Sequence, residues 1–187
     1  MNSDGEKITS DFILGILRAM HPPSEWIFAS EVQTSTGSMS LFGENSVLSE
    51  RRIDAFALNL WPSKHYQRVA FEIKVSRSDF LGELRHPAKR THALFLSNIF
   101  WFVLAPGIYD PKEDYKYFQG VEGVMEISSD YRIKKIVMPR IHDAHPMPID
   151  FTASLMRCVR DQSPRCDIKV IYDETPPINY AGPSAGI

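Results

Sequence analysis

The chain is poor in the features that would assign it quickly. Cysteine is nearly absent: Cys158 and Cys166 are the only two in 187 residues. Their spacing matches neither a zinc nor a redox motif, so a disulfide scaffold, a zinc finger and a thiol oxidoreductase are all excluded. No apolar run is long enough to cross a bilayer; the richest, Ala93 to Ala105, is interrupted by Ser97-Asn98. The opening Met1-Asn2-Ser3-Asp4-Gly5-Glu6 has neither the basic nor the apolar region of a secretory leader. There is no internal repeat, no Gly-rich phosphate loop and no nucleophile elbow. These absences point to a cytoplasmic protein that does not engage a membrane.

Charge of one sign is also lacking, since the net charge is −2. Its distribution is uneven, however. Residues 51 to 92 carry nine Lys and Arg against four Asp and Glu, a balance of +5 that leaves −7 for the rest. Basic charge gathered in one stretch is what a phosphate-binding surface requires; a solvated mixed-charge helix and hairpin would look similar. A composition of 43% hydrophobic and 24% charged residues is that of an ordinary globular chain. The expected organisation is one domain over 1–174 and a Pro- and Gly-rich flexible tail over 175–187.

Inside the basic stretch, Arg52 to Leu60 reads as a strand buried on both sides, broken at Trp61-Pro62-Ser63-Lys64, and Gln67 to Val75 as its hairpin partner. The second strand alternates, so Val69, Phe71, Ile73 and Val75 share one face and Arg68, Ala70, Glu72 and Lys74 the other. Asp54 is the anomaly, an acid in a strand that should be buried. A loop over 61–66 sets Asp54 opposite Ile73; a loop shifted by one residue, or a bulge, sets it with Glu72 or Lys74. Two carboxylates and a lysine suit phosphodiester hydrolysis. Mg²⁺ takes one or two protein carboxylates and completes its shell with water and phosphate oxygens, and a neighbouring ammonium orients the attacking water or stabilises developing charge.

Asp54 followed after one hairpin by Glu72-Ile73-Lys74 resembles the signature of the PD-(D/E)XK nuclease superfamily. Val75-Ser76-Arg77-Ser78-Asp79-Phe80 and Phe100-Trp101-Phe102-Val103-Leu104-Ala105-Pro106 resemble more closely its MmcB-like DNA-repair branch. The likeness spans roughly residues 48 to 128, and Ile53 stands where the motif often has proline. It implies an α/β fold with a restriction-endonuclease-like core, a central mixed sheet of four to five strands flanked by helices. It implies Asp54, Glu72 and Lys74 as catalytic residues, with Mg²⁺ or Mn²⁺ held by Asp54, Glu72 and the Ile73 carbonyl, and Glu31 as the best-placed third acid. Arg52, Ser76, Arg77, Lys89 and Arg90 are candidate substrate contacts. The partner would be DNA, and a homodimer would suit cutting both strands. Two other readings stand beside this one: a nucleic-acid-binding module of the same fold without efficient cleavage, and a partner-binding domain whose Glu-x-Lys is merely a solvated strand.

Along the rest of the chain, helical spacing is expected over 6–20, ended by His21-Pro22-Pro23, and a strand or short ordered segment over Trp26–Gln33. Thr34 to Glu50 reads as an exposed loop. Ser78 or Asp79 is placed to cap a helix through Leu84, and 88–96 resumes a helical pattern. Ile99–Ala105 fits a central strand with Trp101 and Phe102 in the core. Asp110–Gln119 reads as a loop, Val121–Ile127 and Arg132–Met138 as paired strands, Phe151–Arg160 as a helix with Leu155, Met156 and Val159 inward, and Ile168–Tyr172 as a last strand. His142-x-x-His145 has metal spacing with no further ligand pattern around it.

Overall fold

Alternation and punctuation in the sequence account for most of the architecture. In the computed structural model, residues 8–34, 52–162 and 171–172 are described. Helix α1 (Ser10–Met20) starts where Thr9 accepts a hydrogen bond from the Phe12 N–H and ends where His21 closes back on the Arg18 carbonyl ahead of Pro22. Strands follow at β1 (Trp26–Gln33), β2 (Arg52–Asn59) and β3 (Arg68–Lys74), then helices α2 (Arg77–Leu84) and α3 (Thr91–Leu96), and β4 (Ile99–Leu104). A short α4 (Pro111–Asp114) precedes β5 (Glu122–Ile127), β6 (Arg132–Val137), α5 (Ile149–Asp161) and β7 (Ile171–Tyr172).

Among the described residues seven strands belong to one mixed sheet in sequence order, so the four to five expected is corrected upward. The first three form an antiparallel meander; β3, β4 and β5 are parallel; β6 returns antiparallel, and two residues of β7 lie parallel to it. Antiparallel neighbours need only tight turns, whereas the parallel step from β3 to β4 needs the α2–α3 crossover. The fold is α/β, a mixed sheet with helices on both faces. On one face Ile13, Ile16 and Leu17 of α1 pack on Phe71, Trp101, Val103 and Met125. On the other, Phe80, Leu84, Leu96, Phe151 and Leu155 of α2, α3 and α5 pack on Phe56, Ala70, Phe100 and Phe102.

Trp101 and Phe102 are core residues, as the sequence indicates. Gly123 lets the Trp101 indole lie flat on its neighbour strand: a Cβ there would stand 2.6 Å from Trp101 Cε3 and 2.7 Å from Pro139 Cδ. Three local expectations are corrected. Met156 is exposed, because Phe151, Ser154 and Leu155 define the buried stripe of α5. Residues 110–119 include α4 and a 3₁₀ turn at Tyr115–Tyr117, with Asp110 capping α4 through the Lys112 N–H. The α2 cap is Ser76, whose hydroxyl accepts from the Asp79 N–H, not Ser78 or Asp79. Of the exposed loop expected over Thr34–Glu50, Thr34 is described and is buried; the rest of it and the tail over 175–187 lie outside the described residues. Among the described residues no helix is long and apolar enough to cross a membrane.

Candidate active site

The hairpin register settles where Asp54 lies. Leu58 pairs with Arg68 and Ala55 with Phe71, so continuing the register sets Asp54 opposite Glu72, the shifted arrangement rather than the one with Ile73. The turn that fixes this is a 3₁₀ segment at Pro62–Lys64 followed by His65 and Tyr66, both left-handed, with φ of 53° and 48°.

Beyond Ala55 the two strands separate, and Asp54 fills the opening. Its Oδ2 accepts the Ile73 N–H at 2.8 Å. Because the Lys74 carbonyl accepts from Ala105 on the β4 side, strand alternation turns the Ile73 N–H and carbonyl toward β2. Asp54 and the Ile73 carbonyl therefore border the same opening. On the opposite strand of the meander, Ser30 pairs with Ala55 and Val32 with Ile53, which leaves Glu31 opposite Asp54. Glu31 is left-handed, with φ of 56°, an uncommon state for a non-glycine residue. At this level regular alternation breaks on both strands: Ala29 and Val32 join the same core layer, as do Ile53 and Phe56, although each pair is three residues apart.

Lys74 joins the two acids. Its Nζ lies 2.5 Å from Glu72 Oε1 and 3.8 Å from Asp54 Oδ2. Burial pushes the Glu72 carboxyl up to about 7, with the nearby Asp54 charge adding to the shift and Lys74 opposing it. Burial also raises Asp54, against the pull of Lys74 and the Ile73 N–H. Burial alone would lower Lys74, but Glu72 and Asp54 together hold it above its usual value, so it is an ammonium at neutral pH.

An open pocket of about 230 Å³ lies over this group, walled by Ser10 and Leu14 of α1, Glu31, Asp54, Ile73, Lys74, Val75 and Asp79. Asp54 and Lys74 face it directly, while Glu72 meets it through Lys74. The available donors are two carboxylates and the main-chain carbonyl of Ile73, all hard oxygens, which fits Mg²⁺ or Mn²⁺ and not a soft metal. Two partly buried carboxylates opposed by a single ammonium are also short of positive charge. Among the described residues no group of three or more His, Cys, Asp or Glu is arranged to hold a metal ion, so any such ion would depend on Asp54, Glu72, a carbonyl and water.

The other sequence candidates fare differently. Glu31 lines the pocket, its carboxylate paired with the exposed Arg52 guanidinium. Ser76 stands at the strand end, its hydroxyl engaged by the Asp79 N–H and 3.1 Å from Ser78 Oγ. Arg77 turns away to Asp114, one nitrogen 2.8 Å from Asp114 Oδ1 and another 2.7 Å from the Ile108 carbonyl. Lys89 lies 3.9 Å from Glu83 Oε2. Arg90 is corrected outright: only 2% exposed, it donates to Glu122 at 2.9 Å and to the Glu83 and Tyr117 carbonyls, so it cannot meet a DNA backbone. His142 and His145 fasten their loop to α3, His142 Nε2 lying 3.0 Å from the Leu94 carbonyl and His145 stacking on Phe95 at 3.8 Å.

Sequence reading passed over Glu83. It is a nearly buried acid whose position between Phe80 and Leu84, at helical spacing, would have placed it on the inward stripe of α2.

No family model matches the chain, and no curated protein matches it. A solved structure similar to it, an SPO1766 protein of unknown function from Silicibacter pomeroyi, is 15% identical, with a TM-score of 0.48 over 79% of this chain and 82% of that one.

Proposed function

We propose that the protein is a metal-dependent DNA nuclease that hydrolyses phosphodiester bonds, a divergent member of the PD-(D/E)XK superfamily related to its MmcB-like branch. The observation that carries this reading is that the hairpin register brings Asp54 and Lys74 into the lining of one open pocket, with Glu72 paired to Lys74 just behind it. The order α1-β1-β2-β3-α2-α3-β4 around them is compatible with a restriction-endonuclease-like core. Repair of DNA, or processing of phage and mobile-element DNA, is the setting that the family likeness suggests, in the cytoplasm and as a homodimer where both strands are cut.

Asp54, Glu72 and the Ile73 carbonyl would hold Mg²⁺ or Mn²⁺, with Glu31 at the pocket wall as a further donor. When bound, the ion supplies Lewis acidity toward a phosphate oxygen and acidifies a water. Lys74, held as an ammonium by its two acids, acts through charge and N–H donation and not as a base. It orients the attacking water or stabilises the negative charge that develops on phosphorus-bound oxygens. The Ile73 N–H fixes Asp54 in the pocket. Arg52 and Ser76 lie near enough to this end of the hairpin to steer the backbone of a substrate.

Labelled single-stranded, duplex and branched DNA incubated with Mg²⁺ or Mn²⁺ test the reading, with Asp54→Ala and Lys74→Ala as controls. Metal-dependent cutting by the wild type alone supports it. Absence of cutting on every substrate, with both variants binding DNA as the wild type does, would instead favour a binding module of the same fold.

A further inference from the structure

The turn between β2 and β3 carries more apolar surface than reversing a chain requires. Residues 60–66 are exposed throughout, and three of them are large and apolar: Leu60 at 41%, Trp61 at 53% and Tyr66 at 55%. Among the described residues no aromatic ring or cation packs against the Trp61 indole or the Tyr66 phenol. The two residues meet through the main chain, where the Tyr66 N–H donates to the Trp61 carbonyl at 3.3 Å, so both rings stand on one tip. Buried Asn59 anchors that tip: its side-chain oxygen accepts the Trp61 N–H at 3.0 Å, and its own N–H donates to the Gln67 carbonyl at 2.8 Å.

The backbone is held there against its own preference. His65 and Tyr66 are both left-handed, where a tight hairpin ordinarily places Asn and Gly. A β-carbon is strained in that region, so the chain keeps an aromatic side chain where glycine or asparagine would sit with less strain. Strain retained at an exposed position points to a use for the side chain it holds. The charge beside the rings is positive: from Leu60 to Phe71 the sequence has Lys64 and Arg68 and no carboxylate, and Lys64 is exposed within the turn itself. The acid joined to this tip is Glu25, whose main-chain carbonyl accepts the Leu60 N–H at 2.9 Å.

Open aromatic faces beside an ammonium match the needs of unpaired bases and their phosphates. Resting on the reading of the chain as one that acts on DNA, we propose that Trp61, Tyr66 and Lys64 form a contact for unpaired DNA, the rings stacking on bases and the Lys64 ammonium meeting the phosphate backbone. The contact lies at the end of the hairpin away from Asp54, roughly 20 Å along β2 at the usual rise per strand residue. A blunt duplex hides its base faces, so a substrate with a single-stranded portion is the one this tip engages.

Titration of the intact chain with a labelled single-stranded oligonucleotide, without divalent cation so that nothing is cut, tests this. Tryptophan emission should fall as the strand binds, because a base stacks on the exposed indole. Trp61→Phe, which keeps a ring, should retain most of the affinity and lose the quench, while Trp61→Ala and Tyr66→Asn should each weaken binding by about fivefold or more. Asparagine tolerates the left-handed backbone, so Tyr66→Asn should melt no lower than the wild type while binding worse. Lys64→Met should make the salt dependence of binding shallower. Unaltered affinity in Trp61→Ala and Tyr66→Asn, a quench that survives Trp61→Phe, or no binding of the single strand by the wild type overturns the proposal. So does a change of oligomeric state in the tip variants with DNA binding intact, which would make the turn a contact between copies of the chain. Cleavage stands or falls separately. Metal-dependent cutting by the wild type with unaltered binding in the tip variants would strike the stacking contact and leave the nuclease reading, and stacking without cutting would do the reverse.

Discussion

The Lys74 ammonium stands 2.5 Å from Glu72 and 3.8 Å from Asp54, so one cation bridges two acids that approach it from neighbouring strands. The bridge is incomplete as charge compensation, and pH reveals this. The Glu72 carboxyl is raised from 4.5 to about 7 in the folded chain. Between those values the folded protein holds a proton that the unfolded chain has released, so stability is full below about 4.5, falls as pH rises, and levels off above about 7. Glu72→Gln removes this component. Melting temperatures from pH 4 to 8 should fall by roughly 6–12 °C more in the wild type than in Glu72→Gln, for a difference of about 3 kcal/mol. Parallel curves would show that Glu72 is not the strained acid.

Asp54→Asn separates charge from architecture. The amide oxygen of asparagine can still accept the Ile73 N–H that Asp54 Oδ2 accepts at 2.8 Å, so the strand ends should keep their geometry. What disappears is a carboxylate facing the pocket. Cleavage should drop by about 100-fold or more, while the melting temperature stays within a few degrees of the wild type. A variant that cuts normally removes Asp54 from the catalytic set.

How much of this was legible beforehand follows from the range of each interaction. Alternation along one strand was enough to place Glu72 and Lys74 on a common face, and the apolar run around Asp54 marked it as anomalous. Register was not legible, because it depends on the turn. No glycine signals the two left-handed residues, His65 and Tyr66, that follow the 3₁₀ segment. The burial of Arg90 was hidden for a related reason: its acid, Glu122, is 32 positions away, and nothing local distinguishes a basic residue that will be enclosed from one that will be solvated. The strand count was underestimated because Trp26–Gln33 was open between strand and ordered segment, and because pairing of β5, β6 and β7 into the same sheet is likewise nonlocal.

Gly123 should resist replacement by any residue with a side chain. Its missing Cβ is where the Trp101 ring and the Pro139 ring lie, at 2.6 Å and 2.7 Å from an ideal position. Neither can retreat easily, since Trp101 is held between β3 and β5 in the core. Gly123→Ala should therefore lower the unfolding free energy in urea by roughly 1–3 kcal/mol, the usual cost of overpacking. A gain in stability would mean that the indole relaxes freely.

Arg90 offers the sharpest contrast between a nucleic-acid contact and a structural ion pair. Its side chain and that of Glu122 are both inaccessible to solvent, and the guanidinium also lies over the Phe102 ring at 5.6 Å. Arg90→Ala leaves a buried carboxylate with the Gln119 and Val121 N–H groups but without its cation, a loss of about 3–5 kcal/mol. Arg90→Met with Glu122→Leu removes both charges and should recover much of that stability. A phosphate-binding arginine would behave in the opposite way: the double variant would be stable enough to assay but would bind DNA more weakly, with a shallower salt dependence. Urea unfolding and DNA titration at several salt concentrations, on the same two proteins, should show recovered stability with DNA affinity and salt slope unchanged. The buried geometry requires that result, since no phosphate can reach a guanidinium enclosed by α2, β5 and Phe102 without unfolding the layer that holds it.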